Sequence, residues 1–233
     1  MATIQIDATD GSGKFDAHVV EPQNRAPAGA VVVIQEIFGV NEAMRQTCKW
    51  VADLGFVAIC PDLFWRQERN VELTDQSEAE WNKAFALMNG FDQDKGVEDL
   101  KAALAVARHH PQGNGKAGTI GFCLGGRLAF MMATRSDADV NVSYYGVGLD
   151  GLLGELDRVR APLLLHIAEL DKFVPPEARA KILEAVRGKP NIQAWVYPGA
   201  DHAFARPHGV SWNGRAATIA NGRTAEALAA ALG

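Results

Sequence analysis

The chain is 233 residues long, 48% hydrophobic and 22% charged, with a formal net charge of −5, values that suit one α/β domain over residues 1–233 with a sizeable core. No apolar run reaches the length of a membrane span, and no basic patch is interleaved with aromatics, which speaks against membrane and nucleic acid as partners. No basic stretch followed by an apolar one opens the sequence, so a cytoplasmic location is expected, and a monomer with it. Cys48, Cys60 and Cys123 are an odd number at spacings that fit neither a disulfide framework nor a zinc site, so no metal and no cofactor are expected.

Thr3 to Asp7 and Phe15 to Val20 alternate at strand period around the turn Asp10-Gly11-Ser12-Gly13, which predicts an antiparallel hairpin at the start. Ala30-Val31-Val32-Val33-Ile34 is a continuous apolar run of the kind buried on both faces of a parallel sheet. It runs directly into Gln35-Glu36-Ile37-Phe38-Gly39-Val40, a loop with a carboxylate near its start. Asn41 can cap a helix carrying Met44, Cys48, Val51 and Leu54 at helical spacing, ended by Gly55. Phe56 to Cys60 is the next strand, halted by Pro61-Asp62.

Residues 63–94 are irregular and rich in charge and aromatics, with a helix predicted near Glu78 to Met88, and they read as an insertion over the sheet edge. Val97, Leu100, Leu104 and Ala107 mark an amphipathic helix that leads through Pro111-Gln112-Gly113-Asn114-Gly115 into the strand Ala117 to Ile120. Strands at Val140 to Tyr145, Pro162 to Ile167 and Ile192 to Tyr197 follow, with helices at Pro176 to Val186 and Ala216 to Leu232. This βα alternation predicts a mostly parallel sheet with helices on both faces.

Gly121-Phe122-Cys123-Leu124-Gly125-Gly126 sits between the fifth strand and a helix, in the pattern of a nucleophile elbow with cysteine as nucleophile. Ligands of such sheets bind beyond the carboxyl ends of the strands. Four polar residues sit there: Glu36, Cys123, Asp171 and His202. Nucleophile, acid, histidine is their order in α/β-hydrolases, so this fold is expected. In that reading His202 takes the thiol proton while Asp171 fixes the imidazole. Cys48 and Cys60 read as buried hydrophobes, His166 as a core residue, and His109, His110 and His208 as surface histidines.

These stretches, with Cys60-Pro61-Asp62-Leu63, Tyr144-Tyr145-Gly146-Val147-Gly148, Asp171-Lys172-Phe173-Val174-Pro175 and Gly199-Ala200-Asp201-His202-Ala203-Phe204, make the chain resemble the dienelactone hydrolases along almost its whole length. The resemblance implies a triad of Cys123, Asp171 and His202, with Glu36 holding the resting thiol and Arg206 releasing Glu36 when an anionic ester or lactone arrives. The main-chain N–H groups of Leu124 and Ile37 are the expected oxyanion donors. Phe38, Tyr145, Trp81, Phe85 and Arg206 are the candidate substrate-binding residues.

The likeness is incomplete. Where a second anchoring arginine would be sought, the chain has Trp81-Asn82-Lys83-Ala84-Phe85, and Lys83 is the replacement the sequence offers. Trp81 and Phe85, four apart on a helix, read either as an aromatic pocket wall or as packing on the sheet. Two other functions stay open on the residues alone: hydrolysis of another small ester or thioester with the same triad, and a thiol-based sensor without turnover.

Overall fold

The computed structural model describes residues 2–23 and 27–233. Aliphatic and β-branched runs between turn residues form eight strands: β1 (Ala2–Asp7), β2 (Lys14–Val20), β3 (Ala28–Ile34), β4 (Val57–Pro61), β5 (Gly113–Phe122), β6 (Asn141–Tyr144), β7 (Leu163–Ala168) and β8 (Ile192–Tyr197). They make one sheet in the order β1-β2-β4-β3-β5-β6-β7-β8. The hairpin β1–β2 is antiparallel, β2 runs antiparallel to β4, and β3 to β8 are parallel. This is the mostly parallel sheet with an N-terminal antiparallel hairpin that the alternation of elements predicts.

Six α-helices accompany the sheet among the described residues: α1 (Glu42–Asp53), α2 (Glu78–Asn89), α3 (Gln93–Arg108), α4 (Leu124–Arg135), α5 (Pro176–Val186) and α6 (Gly214–Leu232). All seven residues of β3 are buried because helices cover both its faces, so its Val and Ile side chains each contribute about 1.5–3 kcal/mol of burial. Its neighbours are β4 on one side and β5 on the other, which makes the end of β3 the point where strand order reverses. A crevice forms there because the loops after β3 and β5 diverge. None of the helices is long and apolar enough to cross a membrane.

Several boundaries depart from the pattern in the sequence. α3 begins at Gln93, not near Val97, because Asp92 caps it by accepting from the N–H groups of Asp94 and Lys95, and its polar first turn carries no apolar period. β5 starts at Gly113, inside the expected turn. A 3-10 helix, Leu149–Arg158, has no counterpart in the sequence reading, since Gly151 and Gly154 interrupt its apolar spacing.

The insertion at 63–94 is packed down. Trp65 stacks on Phe15 at 5.8 Å and donates its Nε1–H to Asp99 at 2.9 Å, while the Asp99 carboxylate also takes Arg66 at 2.8 Å. Farther along, the Leu73 N–H donates to the Phe38 carbonyl at 2.9 Å, and Asn41 Nδ2 donates to the Leu73 carbonyl at 2.7 Å. The segment is thereby fastened to the loop that follows β3.

The turn from β5 into α4 is the tightest place in the fold. Cys123 has φ +55° and ψ −114°, outside the conformations a side-chain-bearing residue ordinarily adopts. A Cβ on Gly121 would lie 1.9 Å from the Gly125 carbonyl oxygen, and one on Gly125 would lie 2.4 Å from that of Ile34. Only glycine permits both approaches. Gly121→Ala is therefore expected to cost at least about 2 kcal/mol, seen as a Tm lower by roughly 4–8 °C, whereas Gly151→Ala, with no heavy atom within 4 Å of the added carbon, should leave Tm unchanged. Equal melting curves for the two variants would contradict this account of the turn.

Candidate active site

The four polar residues at the strand ends converge, each delivered by its own strand. Cys123 follows β5, Glu36 follows β3, Asp171 lies beyond β7 and His202 beyond β8. All four are at least nine-tenths buried.

His202 Nδ1–H donates to Asp171 Oδ2 at 2.7 Å, and Asp171 Oδ1 accepts the Phe173 N–H at 2.9 Å. The ring is held by the edges of Tyr145 and Phe173, at 5.2 and 4.8 Å between centroids. Burial penalises the charged imidazole, yet the neighbouring Cys123 sulfur and the Asp171 carboxylate outweigh it and push the pKa up to about 10. Nε2 meets no hydrogen bond of normal geometry, so the sulfur is an electrostatic neighbour of the ring without being an aligned partner. Contacts of this kind commonly tighten only once substrate is bound.

A second buried charge set adjoins the first. Arg206 Nε donates to Glu36 Oε2 at 2.5 Å, and Arg206 Nη1 donates to Asp75 Oδ2 at 2.6 Å. Asp75 Oδ2 also accepts the Val210 N–H at 3.0 Å, and Oδ1 accepts from Gln76 Nε2 at 2.6 Å. Burial would discharge the guanidinium, but the two carboxylates, Glu36 foremost, hold its pKa above the ordinary arginine value. Burial works against the Asp75 charge as well, and the Val210 N–H and Arg206 overcome it, so its pKa is lowered. The Arg206 Cζ also lies 4.9 Å from the centroid of the Phe38 ring.

Among the described residues, three buried polar atoms around Cys123 have no hydrogen-bond partner: Glu36 Oε1, His202 Nε2 and the Tyr145 hydroxyl. Burial raises the pKa of that hydroxyl, with the Glu36 charge adding to the effect, so Tyr145 is a neutral donor at physiological pH. The backbone N–H groups of Ile37 and of Leu124, at the first position of α4, also lack acceptors among the described residues.

Cys123, His202 and Arg206 all reach one cavity of about 130 Å³, walled by Ile37, Phe38, Trp81, Phe85 and Met88. Larger hollows of about 220, 310 and 370 Å³ are not lined by Cys123 or His202, although Arg206 and Asp75 line the one of 310 Å³. Trp81 and Phe85 are 5.4 Å apart and Phe38 meets Trp81 edge-on at 4.9 Å, so the aromatic pair lines the cavity and is not spent on the sheet. Lys83 does not join them. Two positions from Trp81 it lies on another face of α2, paired with Glu68 at 2.7 Å. Sequence reasoning did not single out Asp75, Met88, Val147 and Phe173 as site residues; Met88 carried a signal, at helical spacing from Trp81 and Phe85, and Val147 and Phe173 lie within stretches that carry the family resemblance, whereas Asp75 had none.

The profile of the Dienelactone hydrolase family matches residues 15–232. The chain belongs to that family. Over 226 residues this dienelactone hydrolase family member is similar to a protein of Azospirillum brasilense at 55% identity, covering 97% of this chain and 96% of that one. Its similarity to the carboxymethylenebutenolidase of Pseudomonas putida is 43% identity, covering 97% and 95% of the two chains. Among solved structures, one from Klebsiella pneumoniae subsp. pneumoniae superimposes with a TM-score of 0.84 at 26% identity, covering 98% of both chains.

The raised imidazole pKa has a consequence for pH. A histidine shifted from 6.5 to about 10 on folding contributes stability that is complete below pH 6.5 and is lost as pH rises toward 10. Removing the sulfur in Cys123→Ala should lower the His202 pKa and move that loss to lower pH. NMR titration of the His202 ring checks this, and an unchanged midpoint would contradict the proximity of sulfur and imidazole.

Proposed function

We propose that the protein hydrolyses a small ester or lactone through a thioester on Cys123, with His202 and Asp171 completing the triad. The observation that carries this reading is the His202 imidazole, fixed by Asp171 at one nitrogen and electrostatically coupled to Cys123. Asp171 sets the tautomer and stabilises the imidazolium. In the resting site Glu36 Oε1, which no protein donor meets, is the acceptor toward which the thiol turns.

Proton transfer from the thiol to His202 Nε2 gives a thiolate–imidazolium pair, the form that the charged sulfur and Asp171 favour, and the thiolate attacks the carbonyl carbon. The oxyanion that forms is held by the N–H groups of Leu124 and Ile37, which meet no acceptor among the described residues and so are free to donate. Collapse breaks the ester C–O bond, and the departing alkoxide takes the proton from His202. With a lactone the alcohol remains tethered to the acyl group. His202 then deprotonates a water that attacks the thioester carbonyl, the C–S bond breaks, and the thiol is restored. Phe38, Trp81, Phe85 and Arg206 bound the space for the substrate, with Tyr145 supporting the imidazole from behind.

The pairing of an acid and a histidine with the cysteine favours this over a sensing role, because oxidation or capping of a thiol needs no acyl-transfer partner. A chromogenic ester separates the two. Cys123→Ala should lose about a thousandfold or more in kcat while keeping the circular dichroism of the parent. Glu36→Gln should alter the pH–rate profile. Substantial esterase activity in the alanine variant would place the nucleophile elsewhere, and an identical profile in the glutamine variant would deny Glu36 a part in proton transfer.

A further inference from the structure

Behind Cys123 and Tyr145 runs a buried chain of polar side chains that acyl transfer does not use. His166, on β7, meets the Tyr197 hydroxyl through Nδ1 at 2.8 Å and the Thr224 hydroxyl through Nε2 at 2.9 Å. The Thr224 hydroxyl lies 2.7 Å from that of Tyr144, which donates to Asn221 Oδ1 at 2.9 Å, and Arg223 Nη1 donates to the Tyr197 oxygen at 3.0 Å. His166, Tyr144 and Thr224 are fully buried.

One order of protons satisfies every member. Burial, helped by the Arg223 charge, lowers the His166 pKa to about 3, so the ring is neutral and carries a single N–H. Tyr144 gives its proton to Asn221, so its oxygen accepts from Thr224, and the Thr224 oxygen accepts in turn from His166 Nε2–H. Nδ1 is left to accept from Tyr197, whose oxygen is then open to the guanidinium, a group that can only donate. The reverse order leaves the Tyr144–Asn221 contact without a proton.

The two ends of this order support two strained residues of the site. Cys123, at φ +55°, gives its N–H to the Tyr144 carbonyl at 3.1 Å, and Phe122 before it stacks on the Tyr144 ring at 4.8 Å. Tyr145, at φ +38°, gives its N–H to the His166 carbonyl at 2.7 Å, and its ring lies 5.2 Å from that of His202. Strained backbone of this kind persists where its surroundings over-determine it. Thr224 Oγ1 bonds the side chains of both anchors, Tyr144 and His166.

We propose that Thr224, on α6, is a positioning residue for acyl transfer: its hydroxyl locks Tyr144 and His166, and through them the turn that presents Cys123 and the ring that supports His202. It touches neither substrate nor reacting atoms. The inference rests on the reading of Cys123 as the nucleophile and His202 as its base. Loss of this one hydroxyl would strand a buried donor and a buried acceptor together, and a half-satisfied network no longer defines one geometry.

The test uses para-nitrophenyl acetate at a temperature where melting curves show each variant folded. Thr224→Val, which removes the hydroxyl at nearly constant volume, should lose at least fivefold in kcat/KM, and Thr224→Ser, which keeps it, should stay within twofold of the parent. Thr47→Val deletes another buried hydroxyl, one that donates to the Ala43 carbonyl on α1, and should also stay within twofold. Nitrogen-15 NMR of the parent should show His166 as the Nε2–H tautomer. A smaller loss in Thr224→Val, a serine variant as slow as the valine one, equal slowing in Thr47→Val, or an Nδ1–H tautomer overturns the proposal. If Thr224→Val does not fold, Tyr144→Phe cuts the next link and carries the same expected loss and the same refutation. Activity that survives in Cys123→Ala refutes the reading of the nucleophile instead, whereas an inactive Cys123→Ala beside a fully active Thr224→Val refutes this inference alone.

Discussion

The close approach of backbone to backbone at the β5–α4 turn is the constraint on which the site depends. Gly125 lies against the carbonyls of Ile34 and Gln35, at the end of β3, so the turn that presents Cys123 is pressed onto the strand that leads to Glu36. One contact therefore ties the position of Cys123 to that of Glu36. It also brings the start of α4 against the end of β3, whose following loop contains Ile37. Positive φ angles at Tyr145 and Ala203, next to the imidazole, show that the strain at Cys123 is shared by the other loops of the site.

Two buried charge sets meet at this turn, and neither is explained by stability. Taking a carboxylate and a guanidinium out of water costs several kcal/mol per ion, and an apolar replacement of equal volume commonly folds as well or better. The Glu36–Arg206–Asp75 cluster is thus retained for what it does electrically. It sets one cation between two buried carboxylates, at the cavity that Cys123 lines. On the other side of Cys123, the Asp171 carboxylate and the sulfur together favour the imidazolium over the neutral ring. In the mechanism we propose, the cysteine is held at rest by the Glu36 carboxylate and served by the His202 imidazole during acyl transfer.

Much of this was legible in the chain. Cys123, Asp171 and His202 each follow an apolar run bounded by glycine or proline, so their placement at strand ends could be inferred from local pattern alone. The spacing of Trp81 and Phe85 put both on one face of a helix, and the same arithmetic places Lys83 on another face. Asp75 was not legible, since it meets Arg206 across 131 residues and no periodicity links them. The anchoring of Trp65 on Phe15 and Asp99 escaped for the same reason, which is why the insertion read as an irregular stretch over the sheet edge. Polar first turns and glycine-interrupted helices, as at Gln93 and Leu149–Arg158, carry no apolar rhythm to detect.

The central claim is that sulfur 123 becomes covalently acylated during turnover. Rapid acid quenching of the protein with a slowly turned-over ester, followed by intact mass and peptide mapping, measures this directly. The account predicts an added mass equal to the acyl group, confined to the peptide that contains Cys123 and absent from Cys123→Ala. An acyl group found on any other side chain, or steady product formation with no acylated protein under conditions where deacylation limits the rate, would contradict it.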